Sequence, residues 1–467
     1  VETRSHNAVA AAVGALAVLL WRRPAARRDT GAGDLRHFLV VWLLAHWLFF
    51  LWWLPSDTDF FVVSLVPLIL LAVAARDQGD RVEVLDAHVV RQQVVEARRQ
   101  ERQRLQVQLE QAEKRLGGNR FRLAGNFAII NPKCVWDAIV TEKPYPVKML
   151  FFISSNPLMT RANAREVYRA LKKVDFMAVA DFFLTPTAEL ADVVLPAATW
   201  LEMDYIGDFW KRHGYLLPRR KVVQIGECRS DHEMLNDLGH RVGQSEHWWD
   251  SFEGGLDYIL EPSGIKWQDF KRMDFIRGPV KYRKYQDRGF STPTKKFELY
   301  STLLENWGYD PLPQFREPPE SPVSMPERHK RFPYILITGA RSPGFFHTEN
   351  RQVPWLRELH KDPVIEIHPE TAEKEGIKEG EWVIIESVRG KVRQRAKLYA
   401  GIHPNVVGAQ HAWWFPEIKE PAHGWDDSNI NILTDNAYET CDPAMGATSV
   451  RTLLCKIYPE SSRQSKY

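Results

Sequence analysis

The chain has 467 residues, is 44% hydrophobic and 26% charged, and carries a net charge of +3. At about 100–200 residues per domain this allows three or four structural units with a sizeable core, and the near-neutral balance gives no whole-chain argument for nucleic-acid binding. Four cysteines (Cys134, Cys228, Cys441 and Cys455) with no Cys-x-x-Cys pair exclude a disulfide framework, and they exclude a cysteine-rich zinc or iron–sulfur site built from this chain alone.

The average conceals two compositions. Residues 1–117 hold one lysine (Lys114), one isoleucine (Ile69) and one asparagine (Asn7), and their basic charge is almost all arginine. Beyond Gly118 lysine, isoleucine and asparagine become common. Together with the first residue, Val1, this suggests a fragment or chimera, with two unrelated coding pieces meeting near Leu116-Gly117-Gly118-Asn119. The other reading is a genuine membrane domain on a Gly-Gly hinge.

Residues 1–80 read as a membrane segment of two or three helices. The apolar runs are 8–21, 35–54 and 60–75, and the second is long enough to span a bilayer. Trp42, Trp47, Trp52 and Trp53 suit an interfacial belt. Arginines after the first and third runs put those loops, and the C-terminal part, on the cytoplasmic side. The expected localisation is therefore membrane-associated if the segment is genuine, and cytoplasmic or periplasmic otherwise. The stretch around Trp52-Trp53-Leu54-Pro55-Ser56-Asp57 faintly resembles the tail of a polytopic glycosyltransferase, and no site is carried from it. Residues 81–118 read as one long helix without proline, with Leu105, Leu109, Ala112 and Leu116 forming a short coiled-coil seam.

Residues 119–240 read as an α/β domain with a Rossmann-like parallel sheet. The apolar run 147–154 predicts a buried strand opening into Ser155-Asn156-Pro157. A helix over 164–173 leads to a second strand over 176–184, with Asp181 near its end. Thr185-Pro186 starts another helix, with Thr185 as N-cap, and a third strand covers 191–196. Strands alternating with helices imply a doubly wound sheet, which receives ligands beyond its C-terminal strand ends. Asn156 and Asp181 both stand there, although an Asn before Pro and an Asp after a strand also fit plain turn and capping roles. Neither a dinucleotide glycine fingerprint nor a P-loop is present. Residues 241–330 read as an irregular connector. From residue 331 to 458 short β segments (334–338, 363–368, 381–388, 391–399 and 405–410), with helical pieces near 355–359 and 370–375, predict a β-barrel. Residues 459–467 are a tail.

Several runs then carry a family. They are Thr338-Gly339-Ala340-Arg341, His347-Thr348-Glu349-Asn350-Arg351, His368-Pro369-Glu370-Thr371-Ala372, Gly380-Glu381-Trp382-Val383 and Asn429-Ile430-Asn431-Ile432-Leu433-Thr434. In this order they resemble the dinucleotide-binding C-terminal domain of the molybdopterin oxidoreductases of the dimethyl sulfoxide reductase family. Upstream, Ala180-Asp181-Phe182-Phe183-Leu184-Thr185 and Ala191-Asp192-Val193-Val194-Leu195-Pro196 resemble that family's third domain. Phe290-Ser291-Thr292-Pro293-Thr294-Lys295-Lys296-Phe297 resembles its lead-in to the barrel. The likeness covers about residues 121–458. It implies a barrel of the double-psi type, a molybdopterin guanine dinucleotide cofactor with molybdenum, and an iron–sulfur electron-transfer subunit as partner. The family's molybdenum ligand and iron–sulfur cysteines have no counterpart here, so no catalytic or metal residue is assigned and the chain alone is expected to be inactive.

The resemblance also suggests who holds the cofactor. Guanine presents N1–H and N2–H donors that one carboxylate can accept together. Asp181 matches the family's aspartate, and Asp231 in Arg229-Ser230-Asp231 a second one, with Asn156 beside them. Pyrophosphate needs N–H donors and positive charge, which suits the turn of Thr338, Gly339 and Arg341. His347 and Thr348 stand beside the pterin, and Asn431 and Arg451 match late positions that close over the cofactor. A lysine present in some relatives reads as Met203. His411 could face substrate or simply pack, and is left out. The rival readings are a membrane-anchored nucleotide- or partner-binding protein without catalysis and a glycosyltransferase tail fused by error.

Overall fold

Short apolar segments build the first sheet. Strands β1 (Met149–Ile153), β2 (Phe176–Asp181) and β3 (Val193–Pro196) pair in parallel in the order β1-β2-β3. Residues 177–180 of the central strand are buried, as a parallel sheet covered by other elements requires. The computed structural model describes residues 115–460, apart from 128, 208–213, 279–281, 341 and 343. The expected membrane segment over 1–80 and nearly all of the long helix over 81–118 lie outside the described residues.

The membrane expectation is corrected. Among the described residues no helix is long and apolar enough to cross a membrane. The region of the expected join is packed: Leu116 and Phe121, on its two sides, share one buried cluster with Ala124, Cys134 and Ala138. Gly117 adopts φ +71°, and a Cβ there would stand 2.5 Å from Cys134 Sγ. A close approach of that kind leaves no room for a free hinge.

Local chemistry sets the helix ends. Helix α1 (Pro132–Thr141) starts with Asn131, whose side chain accepts from Lys133 N, and with proline at its first turn. Helix α2 (Pro157–Thr160) follows β1, and α3 (Ala164–Leu171) crosses back to β2. The expected helix after Thr185-Pro186 shrinks to a single 3-10 turn, Ala188–Leu190. Thr185 Oγ1 does accept from Ala188 N at 3.3 Å, but Asp192 immediately binds Met177 N at 2.7 Å and pulls the chain into β3. The three strands run in sequential order, so the described sheet shows no reversal of the doubly wound kind.

The stretch between sheet and barrel is not all irregular. Strands β4 (Tyr205–Gly207), β5 (Tyr215–Arg219) and β6 (Ile276–Arg277) form a small antiparallel sheet. Ile206 packs there with Leu256, Leu260, Trp267 and Phe270 in a separate apolar cluster.

Six strands then close a barrel: β7 (Tyr334–Ala340), β8 (Val364–Ile367), β9 (Trp382–Ser387), β10 (Gly390–Leu398), β11 (Val406–Gln410) and β12 (Leu453–Pro459). Five match the expected segments, and β12 is an addition. The order is β10-β8-β11-β7-β12-β9, with β10/β8 and β11/β7 parallel and the other pairs antiparallel. Alternate residues point inward, as the burial of Val392, Gln394 and Ala396 along β10 illustrates. Barrel and sheet share one core: Trp136, Leu158 and Met177 belong to the same buried cluster as Leu336, Ile365 and Val407. The loops after β1 and β2 meet at Asn156 and Thr187, and those after β2 and β7 at Leu184 and Gln352.

Candidate cofactor site

The first group of polar residues stands at the C-terminal ends of β1 and β2. After β1 the chain turns at Ser154 (φ 47°), and Asn156 then opens α2. Asn156 Oδ1 accepts from Thr187 Oγ1 at 2.7 Å, while its Nδ2 is buried without a partner. Asp181 ends β2 and accepts a long 3.4 Å bond from Phe183 N. Asp231 is the first residue of helix α4 (Asp231–Arg241), which Ser230 and Glu233 close with a capping box. Its Oδ2 meets Ser154 Oγ at 3.5 Å, and its Oδ1 is buried with no donor.

Burial pushes both carboxyls above the ordinary aspartate range. At Asp181 the N–H groups of Phe183 and Phe182 work against this, and the charges of Glu349 and Asp231 add to it. At Asp231 the His232 charge and the Ser154 hydroxyl oppose burial. The sheet end is thus rich in acceptors that the protein does not fully satisfy.

The second group lies at the mouth of the barrel. β7 ends in Thr338, Gly339 and Ala340. Gly339 has φ 117°, and nothing lies within 4 Å of where its Cβ would stand, so the backbone faces open space. A small pocket follows, lined by residues that include Ser342, Phe345, His347, Arg351, His411 and Trp413. His347, also at positive φ (52°), pairs its Nδ1 with His411 Nε2 at 2.8 Å. One of the two ring nitrogens must carry the shared proton.

Arg351, the last residue of the His347–Arg351 motif, is the most unusual residue of the pocket. It is only 3% exposed. Its Nη2 donates to the carbonyls of His347 (3.0 Å) and Ala412 (3.2 Å). Its guanidinium lies 4.0 Å from the Trp413 ring centroid. Burial, and then the neighbouring Arg357 charge, push its pKa down to about 9. The signals that could have found it are Phe345 and Trp413 bracketing an arginine four residues after His347.

The two groups stand on touching loops. Gln352 Nε2 donates to Leu184 O at 2.9 Å, and the Glu349 charge reaches Asp181. The remaining expected residues stand elsewhere or are already engaged. Thr338 Oγ1 turns back to Val450 O at 2.8 Å. Thr348 is buried and its carbonyl accepts from Trp414 Nε1 at 3.1 Å. Asn431 Nδ2 donates to Met159 O at 2.8 Å, in the seam between barrel and sheet, and Arg451 is exposed. Arg341 lies outside the described residues. Among the described residues no cluster of three His, Cys, Asp or Glu side chains could hold a metal ion.

Comparisons with known proteins bear on the family and the fold. A family profile described as "Molydopterin dinucleotide binding domain" matches residues 334–453, and one described as "Molybdopterin oxidoreductase" matches 81–241, together more than half of the chain. The chain belongs to the molybdopterin oxidoreductase family. The acetylene hydratase of Syntrophotalea acetylenica is 33% identical over 359 residues, covering 75% of this chain and 49% of that protein. The dopamine dehydroxylase of Eggerthella lenta is 30% identical, covering 76% of this chain and 42% of that protein. The solved structure of acetylene hydratase from Pelobacter acetylenicus superposes with a TM-score of 0.67 at 32% identity, over 71% of this chain and 47% of that one. The chain thus spans about half the length of these relatives. The second family match begins at residue 81, upstream of the expected join near residue 117, which leaves the chimera reading without support.

Proposed function

We propose that this chain forms the part of a molybdopterin-dependent oxidoreductase that grips the guanine dinucleotide arm of the cofactor. The carrying observation is an unmatched carboxylate oxygen, Asp231 Oδ1, beside Asp181 at the sheet end, and spare donors at the barrel mouth. Asp181 and Asp231 would accept from guanine N1–H and N2–H, and the spare Asn156 Nδ2 would donate to guanine O6. The open backbone at Gly339 suits close approach of a pyrophosphate, with Arg341 adding charge. His347 stands at the next turn of chain, where the pterin would follow.

The residues therefore fit the group, and each has a defined task. Asp181 and Asp231 select the base. Gly339 admits the phosphates, and the apolar walls of Phe345 and Trp413 exclude water from the pocket. When bound, the molybdenum supplies two-electron redox chemistry. Two relatives are named as subunits, the molybdopterin-containing subunit of a thiosulfate reductase and the alpha subunit of an F420-dependent formate dehydrogenase. Those names support a partner chain that carries electrons, for which an iron–sulfur subunit is the proposed type. The substrate of the whole enzyme is proposed within the family's range: formate, an oxyanion, a sulfur compound, or a molecule to be hydrated.

The test is equilibrium binding of guanosine diphosphate against adenosine diphosphate to the full chain, read by titration calorimetry. The expected result is a preference for guanosine diphosphate. Equal affinities would remove the guanine assignment.

A further inference from the structure

Asn156 stands immediately before α2, where an asparagine ordinarily turns its carboxamide oxygen to the N–H of the second or third helical residue. Here its side chain makes no such cap. The N–H of Leu158, the second residue of α2, donates instead to Thr187 Oγ1 at 3.2 Å, and that hydroxyl donates to Asn156 Oδ1 at 2.7 Å. Thr187 lies on the connection from β2 to β3 and is 0% exposed, while Asn156 is 5% exposed. A hydroxyl has a single proton, and among the described residues the acceptor for that of Thr187 is Asn156 Oδ1. The reversed amide would set N–H groups against the hydroxyl oxygen, and both the hydroxyl proton and Oδ1 would lose their partners. The bonding therefore decides which end of the amide is which. Oδ1 is held, and Nδ2 is buried and free.

We propose that Thr187 is a positioning residue for base selection: by taking over the cap of α2 and holding Asn156 Oδ1, it makes Asn156 a donor and selects a 6-oxo purine over a 6-amino purine. This rests on the base site proposed above at the ends of β1 and β2. A 6-oxo group accepts hydrogen bonds, whereas a 6-amino group donates them. Nδ2 can only donate, so it suits the first and opposes the second. Asp181 and Asp231 read the N1–H and N2–H donors, so positions 6 and 2 of the purine are read by separate side chains. Without the Thr187 hydroxyl, the ordinary choice for Asn156 is to spend Oδ1 on Leu158 N–H and swing the amide away. Thr187 itself need not touch the base, because its whole effect passes through the orientation of Asn156.

The full chain, Thr187→Val and Thr187→Ser are titrated with the diphosphates of guanosine, 6-thioguanosine and inosine. Sulfur at position 6 is a poor acceptor but keeps N1–H and N2–H, whereas inosine keeps the 6-oxo group and lacks the 2-amino group. The parent chain should bind guanosine diphosphate roughly three- to tenfold more tightly than its 6-thio analogue. Thr187→Val keeps the shape without the hydroxyl, and this ratio should fall to near one. Thr187→Ser keeps the hydroxyl and should restore it. The guanosine-to-inosine ratio reads the aspartates and should stay the same in all three proteins. A merely structural Thr187 would weaken all three nucleotides alike and leave both ratios unchanged, which overturns the proposal. A parent chain without preference for the 6-oxo over the 6-thio base overturns it too. Should Thr187→Val fail to fold, Asn156→Asp decides: it still accepts from Thr187 but loses the free N–H groups, and must lose the same ratio. A parent guanosine-to-inosine ratio near one would remove the reading of the aspartates while the 6-oxo preference could stand, so the two failures are distinct. A parent chain that binds none of the three at millimolar concentration overturns both.

Discussion

The end of the parallel sheet and the mouth of the barrel differ in sign. At the sheet end, Asp181 feels the charge of Asp231, and that of Glu349 from the neighbouring loop, and Asp231 Oδ1 lacks a donor. At the barrel mouth, Arg351, Ser342 and Trp413 lack acceptors. Each unmatched buried group costs the fold about 1–3 kcal/mol. A chain selected for stability alone would have paired them across the short gap between loops that already touch at Gln352 and Leu184. The proposed guanine dinucleotide would meet the Asp231 acceptor with its base donors and the barrel-mouth donors with its phosphates.

The strongest way to break the comparison is to blunt the acceptor end. Asp181→Asn keeps size but sets an amide donor against one guanine donor. One lost charge-assisted bond is worth about 1.5–3 kcal/mol, or roughly ten- to hundredfold in affinity. The ratio of guanosine to adenosine diphosphate affinity should fall by that factor in competition titrations. Arg341→Ala, addressed to phosphate, should weaken both nucleotides alike and leave the ratio nearly unchanged. A ratio insensitive to Asp181→Asn but sensitive to Arg341→Ala would reverse the assignment of the two ends.

A smaller effect is expected at the seam that holds the two ends together. Asn431 Nδ2 reaches Met159 O, and Asn429 Nδ2 reaches Leu158 O at 3.1 Å. Asn431→Ala leaves a buried carbonyl unmatched and should destabilise by about 1–2 kcal/mol in urea unfolding. The nucleotide ratio should not move. If instead nucleotide affinity falls while stability is kept, Asn431 closes over the cofactor, as the family resemblance suggests, and its bond to Met159 is dispensable.

The architecture was largely legible because it follows local rules. β2 and β7–β11 lie within a few residues of the segments that apolar alternation and turn residues mark out, and α5 (Pro369–Glu375) starts at His368-Pro369 as an N-cap with proline should. β12 escaped because Leu453-Leu454-Cys455 earns its place only by pairing with β7 and β9, distant in sequence. Sites were legible in part, for a similar reason. Asn156 and Asp181 follow strands, so their location could be read from the pattern. Thr338, Thr348 and Asn431 look equally polar in the sequence, yet their side chains or backbone carbonyls are taken by Val450, Trp414 and Met159. Arg351 and Trp413 matter through what their neighbours fail to offer, and no local pattern encodes a missing partner.

The smallest expected effect is on the unliganded protein, and its sign follows from the Asp181 carboxyl being raised on folding. Below the ordinary aspartate value of about 3.9 the group is protonated in both folded and unfolded chains and contributes no difference. As pH rises through that value the unfolded chain releases its proton first, so ionisation favours unfolding until the folded carboxyl has also ionised. Asp181→Asn removes this penalty. The variant should therefore melt above the parent at neutral pH, and the gap should close as pH falls below the ordinary aspartate range. Bound guanosine diphosphate should reverse the ranking at neutral pH, because the nucleotide donors then satisfy the carboxylate that the free protein leaves strained. Melting curves of both proteins, with and without nucleotide, at neutral and acidic pH would check all of this together. A variant that melts below the parent in the absence of nucleotide at neutral pH would mean that the Phe183 N–H bond to the Asp181 carboxylate outweighs its burial, and Asp181 would lose its claim to be a strained acceptor.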